Sequence, residues 1–369
     1  MRIAINTRML LPKMEGFGWY TYEISKRLVE NHPEHQFFFF FDRPYDLQYV
    51  FAKNVTPVVL RPPARHPILF YIWFEWAVKK ALKKYKIDLF FSPDGYLSLG
   101  SNVPQIGVIH DLNFEHNPQD LPKIALGYLK HFFPKFAQKA TQIITVSEYS
   151  KNDIVQLYGT APQKIHAIWN GASDLYRPIS EEEQQTIRLK YTRGDAYFLY
   201  VGSIHPRKNL KRLVEAFVCF KKQTQSSTKL VIVGAALWSN ESFSSLIPTE
   251  LQQEIVFTGH LALDELTQIV GAAKLLTYIP YFEGFGIPLV EAMKCGIPLL
   301  SGNLTSLPEV AGNAAEYCNP FDVDEITHKL VELDQNTHRL SELSQLSLER
   351  ASQFSWDKAA VEVARVLGL

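Results

Sequence analysis

The chain reads as an α/β protein built from two doubly wound parallel-sheet domains, and three observations predict it. Short apolar runs alternate with amphipathic helical stretches, the order that builds parallel sheets. The alternation lapses over the polar stretch Ala172 to Asp195 and then begins again. The length, 369 residues, suits two domains.

Composition narrows the class. Hydrophobic residues make up 46% and aromatic residues 13%, enough for a sizeable core. With 38 acidic and 38 basic residues the formal charge is zero, so no global field draws the chain to nucleic acid. Cys219, Cys295 and Cys318 lack metal-ligand or disulfide spacing and sit in apolar surroundings. They predict small packed thiols in a reducing compartment. The opening MRIAINT reads as a strand without a leader-cleavage pattern, and no apolar run approaches bilayer length. A cytoplasmic protein is the expectation.

Arg2 to Asn6 is the first strand. Gly16-Phe17-Gly18 forms a loop, and Trp19 to Glu30 a helix with Tyr20, Ile24 and Leu28 on one face. The third glycine of a dinucleotide fingerprint is missing, so a dinucleotide cofactor is poorly supported. Phe37 to Phe41 is too short to span a membrane and fits a strand buried on both faces. Pro57 to Leu60 is a further strand. Ile68 to Tyr85 is a helix with a wide apolar face, and Lys79, Lys80, Lys83 and Lys84 lie near its end. Two accounts fit those lysines. They favour the helix dipole as solvated cations, or they form a patch for anionic lipid headgroups, a peripheral membrane contact at the inner face of the membrane.

Leu89 to Ser92 and Gln105 to Ile109 are strands, and the second runs into His110-Asp111. Ligands of open parallel sheets bind beyond the carboxyl ends of strands, which makes His110 a functional candidate. A plain backbone hydrogen bond from its ring is the alternative. Gln142 to Val146 is a strand, and Ser147 caps the helix after it. Ile165 to Trp169 closes the first half at the turn Asn170-Gly171.

The second half repeats the plan. After a charged helix, Glu181 to Lys190, come strand Phe198 to Gly202, helix Asn209 to Phe220, strands Leu230 to Gly234 and Ile255 to Gly259, and helix Leu263 to Ala273. Arg207 and Lys208 follow a buried strand and precede a helix. Cations at a helix start oppose its dipole, so something anionic should compensate them; a diphosphate would.

The stretch Leu275 to Glu291, LLTYIPYFEGFGIPLVE, is where the chemistry concentrates. A buried strand ends at Pro280, a short loop carries Glu283, and Pro288 suits the first turn of a helix. Gly284 and Gly286 expose backbone N–H groups at a helix start, a place for an anion. Two carboxylates beside an anion site need another task, and a carboxylate accepts two hydroxyl hydrogen bonds from a sugar diol. A phosphate flanked by sugars, a nucleotide sugar, satisfies both requirements; a plain strand–turn–helix junction, with Glu291 merely favouring the helix dipole, is the alternative. Strand Ile297 to Ser301, helices Asp324 to Glu332 and Thr337 to Ala351, and a last helix, Ser355 to Val366, complete the chain.

The Glu283-to-Glu291 spacing resembles the E-x7-E motif of glycosyltransferase family 4, retaining enzymes of the GT-B fold. The likeness extends through VIHDLNFEHNP, VSEYS, the Asn170-Gly171 hinge (with Trp169 where the family has proline), SIHPRKNL and SLPEV. His205 stands where many members carry glutamate, which leaves the donor contact there open. The resemblance implies two Rossmann-like domains facing a central cleft. Residues 1–171 would form the acceptor side and 172–354 the nucleotide-sugar side, with a final helix, 355–369, crossing back. It implies retaining, metal-independent hexosyl transfer with no cofactor. His110 and Glu283 would be catalytic. Gly18, Arg207, Lys208, Gly284, Phe285, Gly286, Ile287 and Glu291 would bind the donor. The HD loop looks most like mannosyltransferases using GDP-mannose, with UDP-sugars left open. The acceptor would be a glycan or lipid-linked sugar of a cell-surface polysaccharide. A nucleotide-sugar epimerase or a non-catalytic nucleotide-sugar-binding protein are the rival readings.

Overall fold

A computed structural model describes residues 1–12, 14, 16–234 and 246–369. The chain divides into two compact units, Met1–Asn170 with Trp356–Leu369, and Gly171–Ser355.

The first unit holds a parallel sheet in the order β3-β2-β1-β4-β5-β6-β7. Its strands are β1 (Arg2–Asn6), β2 (Gln36–Phe41), β3 (Val55–Val59), β4 (Leu89–Ser92), β5 (Gln105–Val108), β6 (Gln142–Thr145) and β7 (Ile165–Ala167). The phenylalanine run is β2, and all five rings are buried. Strand alternation sends Phe38 and Phe40 to a core shared with Trp73, Phe74 and Phe90. Phe39 and Phe41 meet Phe51 and Tyr45 instead, at ring-centroid distances of 6.0 and 4.7 Å.

The helix Gly16–Asn31 begins earlier than its sequence suggests. Gly16 and Gly18 form its first turn rather than a preceding loop. A Cβ on Gly18 would stand 2.9 Å from the Met9 carbonyl oxygen, so only glycine admits the chain that crosses there. The helix Trp356–Leu367 belongs to this unit, burying Trp356, Ala360 and Val363, with Asp357 paired to Arg27 at 2.5 Å.

The predicted helix from Ile68 is three joined pieces, Pro67–Ile72, a wide π-turn Trp73–Val78, and Lys79–Lys84. The π-turn re-phases the side chains. Trp73, Phe74, Val78, Ala81 and Leu82 all face the core. Ile68, Tyr71 and Trp76 are left exposed (65%, 45% and 71%), and Lys79, Lys80, Lys83 and Lys84 are exposed with them. A further helix, Lys123–Lys139, was not legible in the sequence. Pro134 lies inside it and breaks the helical signal.

The second unit's sheet, also parallel, runs β10-β9-β8-β11-β12-β13. These are β8 (Tyr197–Val201), β9 (Lys229–Val233), β10 (Ile255–Gly259), β11 (Leu275–Tyr278), β12 (Leu299–Gly302) and β13 (Ala315–Cys318). β13 is short and went unpredicted. Phe198, Phe217, Phe220, Leu275 and Leu300 anchor this unit's core.

Candidate active site

In the second sheet the strand order reverses between β8 and β11. At such a switch point the connections leave on opposite faces and open a crevice at the strands' carboxyl ends. β8 leads to the tight turn Pro206–Lys208, and β11 leads to the loop bearing Glu283.

Glu283 is 6% exposed. Its Oε1 meets Arg207 Nη1 at 3.0 Å, accepts from Tyr278 Oη at 3.0 Å, and accepts from Lys208 Nζ. Lys208 Nζ also donates to Tyr278 Oη at 2.8 Å, and Arg207 Nη1 to the Phe282 carbonyl at 3.1 Å. Burial alone would push the Glu283 carboxyl up; Arg207 and Lys208 outweigh it and bring the group down to about 2. The counter-ion that the two cations require is therefore Glu283 itself.

The loop's backbone is fixed from two sides. The Glu283 N–H donates to Thr305 Oγ1 at 3.3 Å, and Ser306 Oγ donates to the Glu283 carbonyl at 3.0 Å. Asn209, in the left-handed conformation (φ 60°), pins the cation-bearing turn. Its Nδ2 donates to the Ile279 carbonyl at 3.0 Å and the Pro320 carbonyl at 2.6 Å. Asn209, Thr305 and Ser306 are thus positioning residues. Asn209 and Ser306 lie within SIHPRKNL and SLPEV, but only the structure shows what they hold.

Gly286 precedes the helix Ile287–Lys294 with φ 96°, a conformation that favours glycine. Gly284 and Phe285 are buried, and the Phe285 ring packs on Phe354 at 5.9 Å. Phe285 therefore offers backbone, not side chain, to this loop. Ile287 opens the helix, and Glu291 stands on its second turn. Glu291 lies outside the Arg207–Lys208–Glu283 network, beside the buried hydroxyl of Tyr176. Burial pushes its carboxyl up to about 7, and the Tyr176 hydroxyl offsets this only in part.

The first unit places His110 just past β5. Its Nε2 lies 2.7 Å from the Pro93 carbonyl. A carbonyl only accepts, so Nε2 carries the hydrogen and the neutral ring keeps its lone pair on Nδ1. Burial lowers the pKa of this histidine and favours that neutral form. The ring is wedged against Phe17 and Tyr20, with centroids at 4.6 and 4.8 Å. Phe17 neighbours Gly18, so the first helix buttresses His110 through Phe17 while Gly18 serves close packing. Ser147 caps its helix by accepting from the Ser150 N–H at 3.0 Å, and Ser150 Oγ donates to the His110 carbonyl at 3.2 Å. The VSEYS segment thereby holds the HD loop. Arg8 and Asp94, which the sequence reading passed over, form a buried pair at 2.6 Å beyond β1 and β4. An arginine two residues past a buried strand was the available signal.

Two parallel sheets, each flanked by helices and each with a switch point, are the architecture of the GT-B fold, and the comparisons with known proteins make it that of a glycosyltransferase. The description Glycosyl transferases group 1 matches residues 181–346, and Glycosyltransferase Family 4 matches residues 14–174. The two matches follow one another along the chain and bear out its resemblance to glycosyltransferase family 4. It is 26% identical to O-antigen chain mannosyltransferase B of Escherichia coli over 374 residues, 98% of each chain. It is 26% identical to O-antigen chain mannosyltransferase RfbU of Salmonella typhimurium over 277 residues, 74% of this chain and 72% of that one. Among solved structures, Anabaena HepE in complex with UDP and glucose matches with a TM-score of 0.78. That match covers 100% of this chain and 99% of HepE at 18% identity, a likeness of fold. Among the described residues no helix is long and apolar enough to cross a membrane.

Proposed function

We propose that the protein transfers mannose from GDP-mannose, with retention and without a metal ion, to a glycan or lipid-linked acceptor of a cell-surface polysaccharide. The observation that carries the donor half is the cluster of Arg207 and Lys208 on Glu283 at the second switch point. Two cations face one carboxylate, so the cluster holds an excess of positive charge where a diphosphate would lie. In the transition state these cations would stabilise the departing nucleoside diphosphate, the electrostatic task a metal performs elsewhere. The amides of Gly284 to Ile287 would add hydrogen bonds. Glu291 would accept from the ribose diol. Glu283, already ionised, would orient the donor sugar near the developing positive charge. His110, neutral with a lone pair on Nδ1, would accept from a sugar or acceptor hydroxyl.

The mannose preference rests on the two mannosyltransferase relatives and the HDLNFEHNP loop. A site that hydrogen-bonds each donor hydroxyl rejects an epimer by leaving buried polar groups unpaired. The test is a thermal-shift panel followed by transfer of labelled sugar. GDP-mannose should protect the protein more than UDP-glucose or UDP-N-acetylglucosamine, by mass action. A UDP-sugar that protects best would overturn mannose, and the absence of transfer from every donor would overturn the enzyme.

The exposed face of Pro67–Lys84 supports a peripheral membrane contact. Ile68, Tyr71 and Trp76 would enter the interface while Lys79, Lys80, Lys83 and Lys84 meet anionic headgroups.

A further inference from the structure

The first sheet has a switch point too, between β1 and β4. Beyond the carboxyl ends of those strands lie Arg8 and Asp94. Asp94 is saturated with donors. Its Oδ1 accepts from Asn6 Nδ2 at 2.8 Å, Ser92 Oγ at 3.1 Å and the Tyr96 N–H at 3.4 Å. Its Oδ2 accepts from Arg8 Nε at 2.6 Å.

Arg8 is not saturated. Its side chain is only 7% exposed, yet Asp94, through Nε, is the only carboxylate that accepts from the guanidinium among the described residues, and the neutral Tyr96 hydroxyl is its other side-chain partner. Nη1 and Nη2 meet no carboxylate or carbonyl oxygen there. Arg43 gives the contrast, since it meets Asp42 with Nε at 2.6 Å and Nη2 at 2.7 Å, fork on carboxylate. Arg8 turns one donor to its carboxylate and leaves its terminal edge open.

That edge is held in place by rings. The guanidinium carbon lies 4.5 Å from the Tyr96 ring centroid, 4.9 Å from Phe70 and 5.6 Å from Phe74. Ring contacts offset part of the cation's desolvation. They accept no hydrogen bond in the guanidinium plane, where Nη1 and Nη2 point their hydrogens. A rigid, planar, doubly donating edge fits the two oxygens of a phosphate or carboxylate. The place is adjacent to His110, whose Nε2 is bonded to Pro93, the residue before Asp94.

We propose that Arg8 is an anion-binding residue of the acceptor subsite, gripping through Nη1 and Nη2 a phosphate or carboxylate that the acceptor carries near its reacting hydroxyl. The word acceptor rests on the glycosyltransferase reading above; the anion site does not. Both switch points then work alike, with a cation beside a buried carboxylate at each. On the second sheet the cations take the donor's diphosphate, and on the first Arg8 takes the acceptor's charge.

The binding test uses the full chain carrying Arg207→Ala and Lys208→Ala, so that the donor-side cations cannot capture the probe. Methyl phosphate and acetate are titrated separately, with calorimetry and with NMR of nitrogen-15-labelled arginine side chains. One-to-one binding of at least one probe is expected, weakened about tenfold or more when Arg8→Lys is added, because lysine is a point charge without the fork. The stronger probe tells a phosphate-bearing from a carboxylate-bearing ligand. Binding indifferent to Arg8→Lys, or no binding of either probe, overturns the proposal. Should Arg8→Lys fold poorly, the pair Arg8→Gln with Asp94→Asn removes both charges together and should show the same loss.

The acceptor assignment is read on the chain with Arg207 and Lys208 intact, using two synthetic acceptors with one terminal sugar, neutral or joined to a phosphodiester. The charged acceptor should have the lower KM by about tenfold, and Arg8→Lys should shrink the ratio below about threefold. Equal KM values before mutation, or a ratio that survives Arg8→Lys, refute the acceptor role. If no sugar is transferred while methyl phosphate still binds through Arg8, the enzyme reading fails and the anion site stands.

Discussion

Glu283→Gln tests the centre of the donor site. The substitution keeps the shape of the side chain and removes its charge, leaving Arg207 and Lys208 without their shared counter-ion. The magnitude follows from linkage. The carboxyl falls from an ordinary 4.5 to about 2 in the folded protein. At about 1.4 kcal/mol per unit, that shift contributes about 3 kcal/mol to stability. The sign is that of a depressed carboxylate: the contribution is complete above pH 4.5 and is lost as pH falls toward 2. Glu283→Gln should therefore destabilise the second unit by about 3 kcal/mol at pH 7, and the gap should close below about pH 4.5. Urea unfolding at a series of pH values reads this, with the two units' transitions fitted separately. GDP should still bind, because the cations remain, while mannose transfer should be largely lost. A stability gap unchanged between pH 7 and pH 3 would refute the ion-pair reasoning. Full transfer activity in the variant would refute the catalytic role.

Arg207→Ala and Lys208→Ala should each weaken nucleoside diphosphate binding by about 1.5–3 kcal/mol in calorimetry, as loss of a charge-assisted hydrogen bond does; unchanged affinity in both would remove them from the donor site. Glu291 has the opposite pH signature. Its folded carboxyl is raised to about 7, so its contribution to stability is present below pH 4.5 and lost as pH rises through 7. Glu291→Gln should remove that decline and make the unliganded protein about 1–3 kcal/mol more stable at pH 8. The same variant should bind GDP more weakly and inorganic pyrophosphate equally well; equal losses for both would mean a damaged helix start. Trp76→Ser should reduce flotation with phosphatidylglycerol vesicles, and separately Lys79→Glu with Lys80→Glu should reduce it about thirtyfold, since two interfacial lysines at about 1 kcal/mol each are lost; undiminished flotation in both would remove this face from any membrane contact.

The architecture was legible because its signals are local. Buried parallel strands are short apolar runs, β2 most plainly, and turn residues such as Asn170-Gly171 separate the repeats. Errors fell where local signals conflict with packing. The helix Gly16–Asn31 starts on glycines that sequence propensity assigns to a loop, because Gly18 must pass close to Met9. The helix Lys123–Lys139 carries Pro134 in its interior, which propensity reads as a break.

For the site, the sequence by itself nominated the candidates. It singled out Arg207, Lys208, Glu283, Glu291 and His110 from strand ends, glycines and spacing. It also posed the question of what anion offsets two cations at a helix start. Only the tertiary structure decided the answer. Glu283, 75 residues from Lys208, closes on both cations, while Glu291, on the second turn of the helix that follows, sits against Tyr176 and takes the opposite pKa shift. Arg8 and Asp94, 86 residues apart, likewise become a pair only when β1 and β4 lie side by side. Spacing along the chain reports which residues share a loop. Charge pairing and desolvation act through space, so the ionisation of each carboxylate, and the open edge of Arg8, exist only once the sheets have formed.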